Sequence, residues 1–155
     1  MDHDAAEVSI RPATAHDAAA MGRIAAAAYD VYVPRIGRPP APMLADYPTI
    51  AAGGHAWVAE HAGRLVGFVV LEPTEAHLVL ENVAVDPASQ GLGVGGRLLR
   101  LAEDRARELG LAEVRLYTNE AMSENLSYYP RRGYRETHRA VQDGYRRVFF
   151  TKPIS

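Results

Sequence analysis

The chain has 155 residues, no cysteine, and 17 basic against 19 acidic side chains, for a net charge of −2. Such a length is expected to form one domain over residues 1–155, and the missing thiols exclude disulfides, thiolate metal sites and a covalent cysteine intermediate. The charges are well mixed, without the basic run that tracks a phosphate backbone, so nucleic acid is not an expected partner.

The opening residues, MDHDAAEVSI, carry acids where a secretory signal needs a basic start. No apolar stretch approaches the ~18 residues of a membrane span. A cytoplasmic protein without a membrane partner is therefore expected. The histidines are scattered without a ligand-like pair, so no metal is implied.

Residues 8–11 read as a first strand bounded by Pro12. Thr14 is placed to cap a helix over 15–29, with Asp17 near the positive end of its dipole. Five of the ten prolines then crowd residues 34–48. This segment cannot be sheet or uninterrupted helix, and it reads as an ordered loop with at most one helical turn. A hairpin follows, 56–60 and 65–71, turning at Ala62-Gly63. Residues 77–85 are nearly continuous in apolar side chains, as suits a buried central strand. A turn at 86–90 leads into an amphipathic helix over 94–109, stopped by Gly110. Beyond it come a strand at 114–118, a short helix at 123–132, and strands at 134–141 and 146–151 joined through Asp143-Gly144. The order implies a mixed sheet with helices on its faces.

The cluster Gln90-Gly91-Leu92-Gly93-Val94-Gly95-Gly96 sits between the central strand and the amphipathic helix. Glycines let backbone amides approach an anion, and the helix behind aims its unpaired amides and positive dipole end at the same place. A phosphate-bearing ligand is the favoured reading; a tight turn with close helix packing is the plain one. Gly91, Gly93 and Gly96 also satisfy the dinucleotide pattern G-x-G-x-x-G. That fingerprint normally opens a doubly wound parallel sheet, whereas half of this chain precedes the cluster.

Gln90, Gly93 and Gly95 also satisfy Q/R-x-x-G-x-G/A, which resembles the coenzyme A pyrophosphate loop of the GNAT family of N-acetyltransferases. Glu81-Asn82-Val83-Ala84-Val85-Asp86-Pro87 looks like that family's central strand entering the loop, and Tyr129-Pro130-Arg131-Arg132-Gly133-Tyr134 like its Y-x-x-x-G-F/Y segment. The resemblance spans essentially the whole chain. It implies an α/β fold with a central mixed, mostly antiparallel sheet of about seven strands flanked by about four helices. It also implies acetyl-CoA as cosubstrate and an amine acceptor, small-molecule or peptide; with no cysteine in the chain, direct attack within a ternary complex is the simplest route. A homodimer is allowed by the same resemblance.

By that resemblance, main-chain groups of Val83, Ala84 and Val85 hold the pantetheine arm, and amides of the loop from Gln90 to Gly96 hold the pyrophosphate. Arg97, Arg131 and Arg132 are candidates for the phosphates, and Asn125 and Tyr128 for the arm. Tyr129 is the candidate acid for the departing sulfur, with Tyr128 as substitute; the competing reading is a ring packed under the last strands. Pro130 is expected to bias Tyr129 away from helical geometry. Glu81 is the candidate base through water, assigned by strand parity to the same face as Val83 and Val85; a solvated glutamate is the competing reading. The acceptor pocket falls to Tyr32, Arg35, Asp46 and Tyr47, Asp46 suiting a cationic amine and Arg35 a carboxylate; loop packing is the competing reading. Two other functions fit the glycine cluster: a non-catalytic coenzyme A-binding or sensing module, and a dinucleotide-dependent oxidoreductase.

Overall fold

A computed structural model describes residues 7–154. Seven strands form one sheet in the order β1-β2-β3-β4-β5-β7-β6, with β1 Val8–Pro12, β2 Ala56–His61, β3 Arg64–Pro73, β4 Leu78–Val85, β5 Glu113–Asn119, β6 Arg135–Gln142 and β7 Tyr145–Pro153. Every neighbouring pair is antiparallel except β4 with β5. Helices α1 (Ala18–Tyr29) and α2 (Tyr47–Ala52) cover one face, while α3 (Val94–Glu108) and α4 (Ser123–Arg131) cover the other. The mixed, mostly antiparallel sheet is as expected.

The apolar pattern accounts for the layering. In α3, Val94, Leu98, Leu99, Ala102 and Ala106 recur at helical spacing and are buried, with Arg100, Asp104, Arg107 and Glu108 turned to water. On β3, Val66 to Leu71 are buried on both faces, because helices press on each side. Gly67 is the point of closest approach: a Cβ there would lie 2.9 Å from the Ala84 carbonyl oxygen and 2.9 Å from a Val94 methyl. Both hairpin turns predicted from sequence occur, with positive φ at Ala62-Gly63 and at Asp143-Gly144, the backbone twist that two-residue hairpins select.

The proline-rich segment is more helical than expected. Val33–Ile36 and Ala41–Leu44 form single turns, and α2 begins inside the segment. The physical reason is placement: Pro34, Pro42 and Pro48 each fall in the first turn of their element, where a missing N–H costs nothing. At the other edge, Arg11 of β1 grips both carboxylate oxygens of Asp17 at 2.8 and 2.9 Å and also reaches Glu60 of β2 at 3.2 Å. Asp17 further accepts the Thr14 N–H at 2.7 Å. Arg11 thus ties two strands to the buried carboxylate at the start of α1. Among the described residues, no helix is long and apolar enough to cross a membrane.

Candidate active site

β4 and β5 pair at Leu78 with Val114 and at Val79 with Arg115, and no further. Beyond those rungs the strands part, because each is held on its outer side by a longer ladder, β3 for β4 and β7 for β5. A cleft of about 1590 Å³ opens between them. It exposes main-chain groups of β4 that a closed sheet would have paired.

β4 is also bulged. Val70 faces Asn82 and Leu71 faces Leu80, which leaves Glu81 as the extra residue. A bulge breaks the two-residue alternation. Leu80, Val83 and Val85 pack toward α3, whereas Asn82 and Ala84 turn toward α1. The bulge therefore interrupts, at Glu81 itself, the alternation by which Glu81 was set beside Val83 and Val85. Glu81 lines the cleft, and its carboxyl pKa is raised by desolvation first and by Glu72 second, against a lowering by His55.

The glycine cluster divides into two roles. Gly91 and Gly93 hold φ of +94° and +77°, with open space where a Cβ would stand; they are needed for the left-handed turn. Gly93 is the N-cap of α3, and its carbonyl accepts the Arg97 N–H. The amides of Val94, Gly95 and Gly96 are thus the helix's unpaired first donors. Gly95 and Gly96 serve close approach instead: a Cβ would lie 3.5 Å from the Tyr128 hydroxyl and 2.7 Å from Arg132 Nη2 respectively. Gln90 and the cluster's four glycines line the cleft, as does Val94. Leu92 does not line it; its side chain is 38% exposed to solvent. Such a cradle, lacking Cβ atoms and placed at the N-terminus of a fifteen-residue helix, fits a diphosphate.

The arginines beside the cradle differ. Arg97 donates to the Val8 carbonyl of β1, so it braces the sheet edge and does not simply await a phosphate. Arg132 donates to the Gly96 carbonyl at 3.2 Å and lies over the Tyr128 ring. Arg100 and Arg131 line the same end of the cleft; Arg100 was missed in the sequence, where it reads as any solvated helix arginine.

α4 runs through Pro130, so Tyr129 is helical after all. The helix ends one residue later, and a proline in that last turn removes only one backbone bond. Tyr129 is 6% exposed, with its ring packed on Tyr134 and Phe150. Its phenol lines the cleft and makes no hydrogen bond among the described residues. Burial, then Tyr128 and Tyr32, raise its pKa, so it holds its proton. Asn125 donates to Thr118 Oγ1 of β5 at 2.9 Å, which ties α4 to the second wall of the cleft.

Of the residues assigned to the acceptor pocket, only Tyr32 lines the cleft. Asp46 is the N-cap of α2, accepting from the Thr49 N–H and hydroxyl at 3.2 and 2.7 Å. Tyr47 is buried against Phe68, donates to the Pro42 carbonyl and accepts from Asn82 Nδ2. Both are structural, and their assignment to the acceptor is corrected. Arg35 forms a two-point ion pair with Glu124 at 2.9 and 3.1 Å, on which the Tyr32 hydroxyl also converges. In their place the fold brings in Tyr29, Asn82, Tyr117 and Arg147. The Tyr29 hydroxyl lies 2.8 Å from Asn82 Oδ1 and 2.9 Å from the Val83 carbonyl, donating toward both. The alternation Tyr145, Arg147, Phe149 was the one available signal for Arg147, a charge in an inward register.

A splayed sheet, a bulge at the splay and a glycine-capped helix behind it define an acyl-carrier cleft of the acetyltransferase type. The model of the Acetyltransferase (GNAT) family matches residues 21–134, and the chain belongs to that family, whose members draw on acetyl-CoA. It is 43% identical over 72 residues to the mycothiol acetyltransferase of Sanguibacter keddieii, covering 42% of this chain and 23% of that protein. The chain spans between 23% and 57% of the length of the curated relatives it matches. In fold it resembles the ribosomal-protein-S18-alanine N-acetyltransferase of Escherichia coli, with TM-score 0.75 and 21% identity over 96% of this chain and 95% of that one. It likewise resembles the PaiA N-acetyltransferase of Thermoplasma acidophilum, solved with coenzyme A, with TM-score 0.74 and 18% identity over 95% and 99% of the two chains. The dinucleotide alternative fails on the same fold, since the sheet has a single parallel pair and not a doubly wound set.

Proposed function

We propose that this protein transfers an acetyl group from acetyl-CoA to a primary amine by direct attack. The observation that carries this reading is the cradle: unpaired amides of Val94, Gly95 and Gly96 at the end of a cleft whose wall is the unpaired edge of β4. The cosubstrate supplies a thioester-activated acetyl group. The chain's contribution is to hold, orient and move protons.

An alkyl amine with a pKa near ~10 arrives protonated and must lose a proton before it can attack. Glu81 takes that proton through water; its raised pKa makes it a better base than an ordinary carboxylate. The amine nitrogen then bonds to the acetyl carbon, the carbon–sulfur bond breaks, and the nitrogen gives up its second proton. Tyr129, protonated and unengaged in the cleft wall, donates to the departing sulfur and is refilled from that second proton. One proton is released overall. The Tyr29 hydroxyl pins the Val83 carbonyl at the bulge, fixing the β4 edge along which the arm would lie. Tyr129's placement favours an enzyme over a non-catalytic coenzyme A sensor, which needs no proton donor at this point.

Thermal melting with acetyl-CoA tests the reading. At a hundred times its dissociation constant the cosubstrate adds about 2.7 kcal/mol, raising the melting temperature by roughly 5–10 °C. Gly93→Asp, which strains the left-handed cap and sets a carboxylate beside the diphosphate, abolishes the shift. A wild-type protein indifferent to acetyl-CoA would sink the proposal.

A further inference from the structure

β7 turns Tyr145, Arg147 and Phe149 to one face, beside β5 in the second wall of the cleft. Arg147 is 9% exposed and lines the cleft. A guanidinium so enclosed is costly unless its charge and donors are met. The Tyr117 and Tyr145 rings lie 4.2 and 5.6 Å from its central carbon. Nη1 donates to the Gln142 side-chain oxygen at 2.9 Å. The Asp143 carboxylate stands 3.9 Å from that same nitrogen and is 85% exposed, so water screens it. Among the described residues, Nε and Nη2 have no hydrogen-bond partner. The neighbouring Arg38 is already engaged, stacked at 3.6 Å on Tyr145 and donating to the Asp143 carbonyl.

A planar donor fork plated by aromatic rings, with one edge unused, is shaped for a planar anion. The same cleft also carries the complementary charge. Asp30 and Glu81 line it without a hydrogen bond or ion pair among the described residues, whereas Glu124 is neutralised by Arg35.

We propose that the acceptor is an amine that also bears a carboxylate, an amino-acid-like zwitterion whose carboxylate is received by Arg147 while its ammonium faces the Glu81 wall. This names the acceptor class for the transfer reading above and rests on it. A diamine would set a second cation against Arg147. A peptide amino terminus would present a neutral amide there.

The test compares acetyl transfer, read as released thiol, to the common α-amino acids and short ω-amino carboxylates, to their carboxamides, and to 1,4-diaminobutane. Acetyl-CoA binding is followed in parallel by thermal melting. For the preferred acid, kcat/KM exceeds that of its own amide on the order of 10- to 100-fold, the worth of charge-assisted hydrogen bonds. Arg147→Gln brings that ratio to about one, mainly by raising KM, as expected when ground-state and transition-state binding are lost together. Arg147→Lys, which keeps the charge and loses the fork, falls between. The acid-to-amide comparison in the wild type needs no variant, so a poorly folded Arg147→Gln does not rescue the idea. Acetyl-CoA binding with equal or better transfer to amides or the diamine, transfer to none of the acids, or a preference that survives Arg147→Gln overturns this proposal and spares the transfer reading. Absence of acetyl-CoA binding overturns both.

Discussion

Tyr129 and Tyr128 are adjacent in sequence but differ in surroundings. Tyr129 buries its ring in the core and lines the cleft, while Tyr128 is half-buried over the glycine cluster with its hydroxyl near Gly95. If Tyr129 is the proton donor, Tyr129→Phe lowers kcat by roughly 10²-fold, the scale of general acid catalysis, and leaves the acetyl-CoA melting shift intact. Tyr128→Phe should change binding more than turnover. Equal turnover by Tyr129→Phe and wild type would return the role to Tyr128 or water. The two tyrosines were visible in the sequence as a pair; their division of labour was not, because it depends on Tyr134 and Phe150, which reach Tyr129 only through the fold. Tyr47 misled for the same reason, whereas Asp46 misled although its partner Thr49 is only three residues away. A carboxylate and a phenol in a proline-rich loop read alike as ligand contacts or as cap and core, and the partners that decide, Thr49 and Asn82, are a tertiary matter for one of them.

α3 must sit close to the sheet for its first amides to reach the cleft. Gly67 permits this, because the space a Cβ would take is filled by the Ala84 carbonyl and the side chains of Val94 and Leu98. Gly67→Ala is therefore expected to destabilise the protein by about 1–3 kcal/mol, as overpacking does. It also lifts Val94, the residue that opens the helix, so acetyl-CoA should bind more weakly than the stability loss alone explains. Chemical denaturation and cosubstrate titration of the same variant check both; unchanged affinity would mean the cradle does not depend on this seating. In sequence Gly67 was only an interruption in an apolar strand. The β4 bulge was equally hidden, since a run of eight residues reads the same with or without an extra member, and the parity of Glu81 was lost with it.

Acid stability reports on how the outer strands are joined to the rest of the molecule. Arg11 and the Thr14 amide hold the Asp17 pKa down to about 2 from 3.8. A carboxylate with a depressed folded pKa contributes stability that is complete above its unfolded value and disappears as pH falls through the folded one. Asp17 thus contributes about 2 kcal/mol at neutral pH, lost between about pH 5 and pH 2. Asp17→Asn should lower stability at pH 7 by about that amount, with the two proteins converging toward pH 2 when unfolding is followed by denaturant titration. Parallel curves across that range would show that Asp17 is not set apart from the other carboxylates.

Local patterns were enough for the seven strands, for α1, α3 and α4, for their order and for both hairpin turns, though not for the helical turns and α2 of the proline-rich segment, because spacing of apolar residues and left-handed turn positions act over a few residues. The place of the glycine cluster between strand and helix was legible for the same reason. The splay of β4 from β5, the bulge at Glu81, the enclosure of Arg147 and the burial of Tyr47 against Phe68 were settled by packing. Each arises from ladders and contacts between segments far apart in the chain, and no short window of sequence carries that information.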